Sequence, residues 1–327
     1  MIDKILSICV PTFEGADFLD DLLLSLCESM ELCESEEFEI IVSNNNHDDD
    51  ITRQTANIVS RYAASIPVKM IDNPHKSLRL DGNLYNLLNS ATGKFVWFMC
   101  DDDAITKNAL QKIVRVIKDI DDRCPLCFVN YFACDDKLNI IDDDDRSDIT
   151  ITGRVKNGNE FLKFTDLQFG LVSSIIVDRK EALKCNLNEY LGTDSLHIPL
   201  VLQLANQYGG YIERERLVLM RDNNARWGAG ADQVIIISRL FGLFGIMHKL
   251  DYSIQTIKWV QNYFLISICK TIIRCHSRGM FDQQEVMENL RKLYKDSRIS
   301  LLILKACILI PKFLAKIIYN TCRKSNV

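Results

Sequence analysis

Three consecutive carboxylates, Asp101, Asp102 and Asp103, follow the apolar run Lys94-Phe95-Val96-Trp97-Phe98-Met99-Cys100. Neighbouring carboxylates at the end of a strand resist joint ionisation unless a cation, hydrogen bonds or water compensate them. A hard divalent ion, Mg²⁺ or Mn²⁺, held by one or two of them with phosphate oxygens completing its octahedron, meets that requirement. A solvated acidic turn also meets it, with Asp103 capping a helix that carries Leu110, Ile113, Val114 and Ile117.

The elements needed to place such a cluster are legible upstream. Residues 5–10 read as a first strand, Pro11-Thr12-Phe13-Glu14-Gly15 as a turn, and residues 18–26 as an amphipathic helix with Phe18, Leu22, Leu23 and Leu26 on one side. Residues 38–43 form a second strand that ends in the polar cluster Asn44-Asn45-Asn46-His47-Asp48-Asp49-Asp50. A helix over 52–64 and a strand over 68–71 continue the alternation. Such alternation predicts an α/β fold with a mostly parallel central sheet, flanked by helices and carrying its chemistry on loops along one edge.

Three segments in order and spacing carry a resemblance to known proteins. Ser7-Ile8-Cys9-Val10-Pro11-Thr12-Phe13, Glu39-Ile40-Ile41-Val42-Ser43-Asn44-Asn45, and Ala91-Thr92-Gly93-Lys94 running into Asp101-Asp102-Asp103 resemble the opening strand, the nucleotide loop and the DXD segment of the inverting glycosyltransferases of family 2. The bacterial branch that builds O-antigen and capsule repeat units, including abequosyltransferase-like members, is the most similar. Leu191-Gly192-Thr193-Asp194-Ser195-Leu196-His197 and the stretch from Val218 to Trp227 look like its later landmarks. The resemblance implies a GT-A fold, Rossmann-like, over residues 1–230, with residues 231–327 as a helical C-terminal extension. It implies Asp103 as the first metal ligand, Asp101 as the second, and Asp102 against ribose or sugar. One departure stands out: relatives carry aspartate where this chain has Asn44, which keeps an acceptor, adds a donor and loses the charge.

Transfer from a nucleotide diphosphate sugar needs a stabilised leaving group, an exposed anomeric carbon and a base for the acceptor hydroxyl. Pro11, Thr12, Glu14, Asn44 and Asn45 lie on the two loops that would line the nucleotide. Arg79, Asp81 and Asn83 resemble the donor-contact stretch of relatives, and a turn with a helix cap explains them as well. Asp194 is the base candidate and His197 the runner-up, an imidazole titrating near neutral pH. An N-cap for the following helix accounts for Asp194 too, and packing for His197. Arg221, Arg226 and Trp227 suit a diphosphate clamp and a sugar-stacking ring; a structural loop beneath the site suits them equally.

Composition bounds the rest. With 327 residues and 47% hydrophobic content the chain can bury a substantial core, and its net charge of −5 argues against general nucleic-acid binding. Twelve scattered cysteines, and a strand at the very start with no room for a secretory signal, lead to the expectation of a cytoplasmic protein. Cys124-Pro125-Leu126-Cys127 has no matching partner pair for zinc. Arg298, Lys305, Lys312, Lys316 and Arg323 fall in one helical stripe bordered by Leu, Ile and Phe, which describes a helix lying on an anionic membrane at its inner face, or a homodimer contact. The expected activity is metal-dependent transfer, with Mn²⁺ or Mg²⁺, from a nucleotide-sugar donor, UDP-linked by preference, to a polyprenyl-diphosphate-linked glycan. A nucleotidyltransferase and a non-catalytic glycan-assembly protein are the rival readings.

Overall fold

The computed structural model describes residues 4–30, 37–120, 123–141, 149–222, 243–278, 283–294 and 297–324. The chain divides into two compact units, Met1–Asn224 and Ala225–Val327.

In the first unit, β1 (Leu6–Thr12), β2 (Phe38–Asn44), β3 (Val68–Asp72) and β4 (Phe95–Phe98) pair in parallel in the order β3-β2-β1-β4. Helices α1 (Ala16–Met30), α2 (Asp49–Tyr62) and α3 (Arg79–Ser90) lie in the connections. The side chains alternate as the pleat requires. Leu6, Ile8, Val10, Phe38, Ile40, Val42, Phe95 and Trp97 join one buried cluster with Leu19, Leu22, Leu23 and Leu26 of α1. Cys9, one residue out of phase, donates its thiol to the Leu87 carbonyl of α3, so helices cover both faces. Gly93 is needed where the chain enters β4, because a Cβ there would sit 2.6 Å from the Ser7 nitrogen.

The sheet continues from β4 as β8 (Ile175–Asp178), β6 (Leu126–Cys134), β9 (Gly210–Arg221) and β5 (Ala104–Ile105), with β7 (Gly153–Val155) also on β9. Between them run α4 (Ala109–Asp119), α5 (Gly158–Phe164), α6 (Arg179–Ala182) and α7 (His197–Tyr208). The α/β expectation holds, but the uninterrupted parallel run is confined to the first four strands. β8 lies antiparallel between β4 and β6, and β5 is antiparallel to β9. Periodicity within a strand says which face is buried and nothing about the direction of its neighbour. The thiols of Cys124 and Cys127 are buried and donate to carbonyls of Leu126 and Phe128, and burial drives the Cys127 thiol far above its usual range, so neither poses as a redox centre.

In the second unit, α8 (Ile254–Arg278), α9 (Gln283–Leu293), α10 (Arg298–Leu309) and α11 (Lys312–Lys324) are helical. The C-terminal stripe is divided at Ile310-Pro311, the kink expected from the sequence, since proline cannot donate to the preceding turn. Both halves pack on α8, burying Ser300, Leu304, Ile308 and Ala315. Ile299, Leu302, Ile303, Leu309, Phe313, Leu314, Ile317 and Ile318 remain exposed. Among the described residues no helix is long and apolar enough to cross a membrane.

Candidate active site

The C-terminal ends of β1, β2 and β4 meet at one edge. Met99 extends the parallel ladder by donating to the Cys9 carbonyl at 3.0 Å, and the chain then turns through Asp101 and Asp102 so that Asp103 donates back to the Cys100 carbonyl at 3.2 Å. Asp101 is buried and accepts the Thr12 hydroxyl at 2.6 Å, which joins the end of β1 to the acidic turn. Asp103 is buried between two donors, the Ser173 hydroxyl at 2.5 Å and the Arg221 backbone N–H at 3.2 Å. Burial and the charges of Asp102 and Asp101 push its carboxyl up to about 8, and the two donors only partly offset them.

Cys100, Asp102 and Asp103 each offer a ligand atom within 4.8 Å of the others. Burial and the three carboxylates drive the Cys100 thiol well above its usual range, so at neutral pH the thiol keeps its proton and the oxygens of Asp102 and Asp103 are the hard donors. A divalent cation fits this pocket by chemistry: it would relieve the crowding that holds a proton on Asp103. Asp101, expected as second ligand, lies outside that group and is bonded to Thr12 instead.

Arg221, expected as a diphosphate clamp, does something else. Its guanidinium is 0% exposed, ion-paired with Asp21, and bonded to the carbonyls of Asp102 at 2.6 Å and Asp136 at 3.1 Å. It also stacks over the Phe18 ring at 4.5 Å. Buried and bonded through all three of its nitrogens, the guanidinium braces the acidic turn from behind. Arg226 and Trp227 lie outside the described residues.

The loops expected to line a nucleotide form an amide lattice. Pro11 and Thr12 are buried, Asn45 donates its N–H to the Thr12 carbonyl at 3.0 Å, and Asn73 donates to the Asn44 carbonyl at 2.9 Å, which prolongs the parallel ladder past the strands. Asn44 gives its amide to Asp72 at 2.9 Å and accepts from the Asn46 backbone at 3.0 Å and side chain at 2.8 Å. Thus Asn44 is bonded to a carboxylate at the end of the next strand, β3. Glu14 is exposed, left-handed at φ 54°, and held by its N–H to Asn46 at 2.6 Å. Lys76 caps the Asn46 carbonyl at 2.5 Å.

Asp194 does not cap α7; the N-cap position falls at Leu196. It is 3% exposed, left-handed at φ 55°, with Oδ2 ion-paired to Arg79 and Oδ1 buried without a hydrogen-bond partner. Asp81, expected against the donor, instead directs both oxygens to this turn: Oδ2 accepts the Asp194 N–H at 2.7 Å and Oδ1 the Leu196 N–H at 2.8 Å. Burial pushes the Asp81 carboxyl up, and those N–H groups pull against it. Asn83 also faces inward, donating to the Ser43 carbonyl at 3.0 Å. His197 is buried, with Nε2 at 3.0 Å from the Gly170 carbonyl.

Sequence reading missed Ser173, Asn46, Asp72 and Asp21. Ser173 accepts the Cys100 N–H at 2.9 Å while donating to Asp103, and nothing in Val172-Ser173-Ser174 signals a partner 70 positions away.

Comparison with solved structures gives the class. The crystal structure of S. aureus TarS 1–349 in complex with UDP superposes with a TM-score of 0.69 at 15% identity, covering 97% of this chain and 91% of that one. The mannosyltransferase PcManGT from Pyrobaculum calidifontis, in complex with GDP-Man and Mn²⁺, gives 0.50 at 11% identity over 97% and 86%. The fold is GT-A. Residues 7–178, more than half of the chain, match glycosyl transferase family 2, and the chain belongs to that family. A Campylobacter jejuni protein, GalNAc(5)-diNAcBac-PP-undecaprenol beta-1,3-glucosyltransferase, is 30% identical over 110 residues, 34% of this chain and a third (33%) of that relative's length.

Proposed function

We propose that this protein is an inverting glycosyltransferase that moves a sugar from a UDP-sugar to a polyprenyl-diphosphate-linked glycan in bacterial surface polysaccharide synthesis, of the O-antigen or capsule kind. The observation that carries the reading is the buried Asp103 crowded by two further carboxylates in the acidic turn, together with the buried Asp194, whose Oδ2 is ion-paired to Arg79 and whose Oδ1 is bare. UDP as carrier is supported by the TarS complexes with UDP and UDP-GlcNAc, and a lipid-linked acceptor by the undecaprenol-linked substrate in the Campylobacter enzyme's name.

Asp103 and Asp102 would hold Mn²⁺ or Mg²⁺, which would supply positive charge against a departing diphosphate. Thr12 and the asparagine lattice at the ends of β1 and β2 bind the nucleotide. Asp194 takes the proton from the acceptor hydroxyl as its oxygen attacks the anomeric carbon from the face opposite the diphosphate; the bond to the nucleotide breaks and UDP leaves with its electron pair. Arg79, exposed and at the first turn of α3, has a charge that a donor diphosphate can recruit.

The enzyme works at the inner face of the membrane, where the outer faces of α10 and α11 meet anionic lipid. Residues 297–327 hold six Lys and Arg and no Asp or Glu, and the exposed Ile, Leu and Phe of this segment lie among them. Deleting the segment would uncover α8, so glutamates on the exposed face are the sounder probe: Phe313→Glu with Ile317→Glu should abolish co-sedimentation with phosphatidylglycerol vesicles. A variant that instead turns a dimer into a monomer, with no vesicle binding in the parent, assigns the face to a second copy.

Purified protein incubated with Mn²⁺, a panel of UDP-sugars and an undecaprenyl-diphosphate-linked acceptor should release UDP and extend the acceptor. Asp194→Asn should lower that transfer about 10²- to 10⁴-fold while sparing UDP affinity. Release of inorganic diphosphate in place of UDP would mark a nucleotidyltransferase, and the absence of any transfer across the panel a non-catalytic assembly protein.

A further inference from the structure

Resting on the reading of Asp194 as the base, we propose that Asp81 is its positioning residue, fixing the turn that presents Asp194 while leaving the base carboxylate unused by that turn. At the start of a helix the first N–H groups lack intrahelical partners, and a nearby Ser, Thr, Asp or Asn side chain ordinarily accepts one. The α7 terminus has local candidates for that task, Asp194 and Ser195. Neither performs it: the Ser195 hydroxyl turns to the Thr193 carbonyl at 3.3 Å, and Asp194 Oδ1 has no hydrogen-bond partner. The Leu196 N–H goes instead to Asp81, 115 positions earlier, and the Asp194 N–H goes to the other oxygen of the same carboxylate. A carboxylate that capped its own helix would be stabilised as an acceptor of backbone N–H groups and weakened as a base. With those N–H groups bound by Asp81, the turn leaves the Asp194 carboxylate with Oδ1 bare and Oδ2 on Arg79.

The backbone at Asp194 also needs an external hold. An aspartate at φ 55° occupies a sparsely populated region and persists when surrounding contacts determine it. Asp81 supplies such contacts on both sides of the residue, and its own mounting is rigid. A Cβ at the adjacent Gly82 would lie 2.4 Å from the His75 carbonyl, so α3 is seated directly on the loop after β3. Asn83 donates to the Ser43 carbonyl at the end of β2. Three consecutive residues therefore couple the base turn to the edge that holds the nucleotide lattice.

The test is a kinetic split on the full-length protein. Asp81→Asn replaces one acceptor with a donor facing an N–H, and should keep the folded circular dichroism spectrum, UDP affinity with Mn²⁺ and donor KM within about twofold, while kcat falls about 10- to 100-fold. Added to Asp194→Asn it should cause no further loss of kcat, because the residue acts only through the base. Unchanged kcat in folded Asp81→Asn overturns the inference, as does a kcat loss that adds in full on the Asp194→Asn background or one matched by lost UDP affinity. If Asp194→Asn alone turns over normally, the base reading falls and this inference with it. Should Asp81→Asn fail to fold, Asp81→Glu takes its place. It keeps the charge and shifts the oxygens by one carbon–carbon bond, and normal kcat in that variant would equally refute the role.

Discussion

Glu39 and Asp103 are both buried carboxylates on the same sheet, one at the N-terminal edge of the parallel strands and one at the C-terminal edge, and they titrate in opposite directions. Burial alone would raise Glu39, but hydrogen bonds from the Thr92 hydroxyl, Lys69, the Thr92 N–H and Ser7 bring it down to about 2. Those four donors lie at 2.7 to 2.9 Å. Asp103 has two donors and two carboxylate neighbours in the chain, and stands near 8. Burial of a charged group is thus no mark of function. What separates the edges is compensation: Glu39 is complete as a structural tie between β1, β2 and the turn before β4, whereas Asp103 has no ion-pair partner among the described residues.

The comparison breaks first at Asp103. Asp103→Ala should reduce transfer by more than about 10³-fold and remove the dependence of UDP affinity on Mn²⁺, since the leaving group loses its counter-charge. Calorimetric titration with UDP, with and without Mn²⁺, checks this, and an unaltered metal effect would take Asp103 out of the site. Arg221→Met, which removes the brace but keeps the backbone N–H to Asp103, should cost about 3 kcal/mol of stability to urea, because Asp21 and two carbonyls lose a buried guanidinium. Its Mn²⁺-dependent UDP binding should weaken less than in Asp103→Ala. Equal stability with and without the guanidinium would show that the brace is idle.

Glu39→Gln sharpens the other side. The folded value of Glu39 is depressed, so its contribution is present above the ordinary glutamate value of about 4.5 and lost as pH falls through about 2. The variant should be about 2 kcal/mol less stable at pH 7, with a smaller loss between pH 4.5 and 2 than the parent and unchanged UDP affinity. Urea unfolding at the two pH values measures it. A further effect is expected in the pH dependence of metal binding. A proton occupies Asp103 below about 8 when no cation does, so Mn²⁺ must displace it; apparent affinity should rise up to about tenfold per pH unit and level off above pH 8. A flat profile between pH 6 and 8 would contradict the crowding described for Asp103.

The local parts of this protein were set by short-range pattern. Alternating apolar residues in β1, β2 and β4, the helical spacing in α1 and α4, and the three aspartates after an apolar run each follow from side-chain periodicity and strand-end geometry, so the sequence alone yields the α/β class, the family and the acidic turn. Tertiary structure decided what those residues touch. Arg221 reads equally as a phosphate clamp or as part of a structural loop beneath the site, and Asp21 and two carbonyls draw it under the turn; Asp81 reads equally as a donor contact or a cap, and it serves a turn 113 positions away. Ser173, which no spacing announces, holds Asp103. The physical reason is that a hydrogen bond or ion pair is a property of two groups at about 3 Å, and for partners separated by a hundred residues that distance is created by packing the sheet and its helices, not by anything encoded in the neighbourhood of either residue.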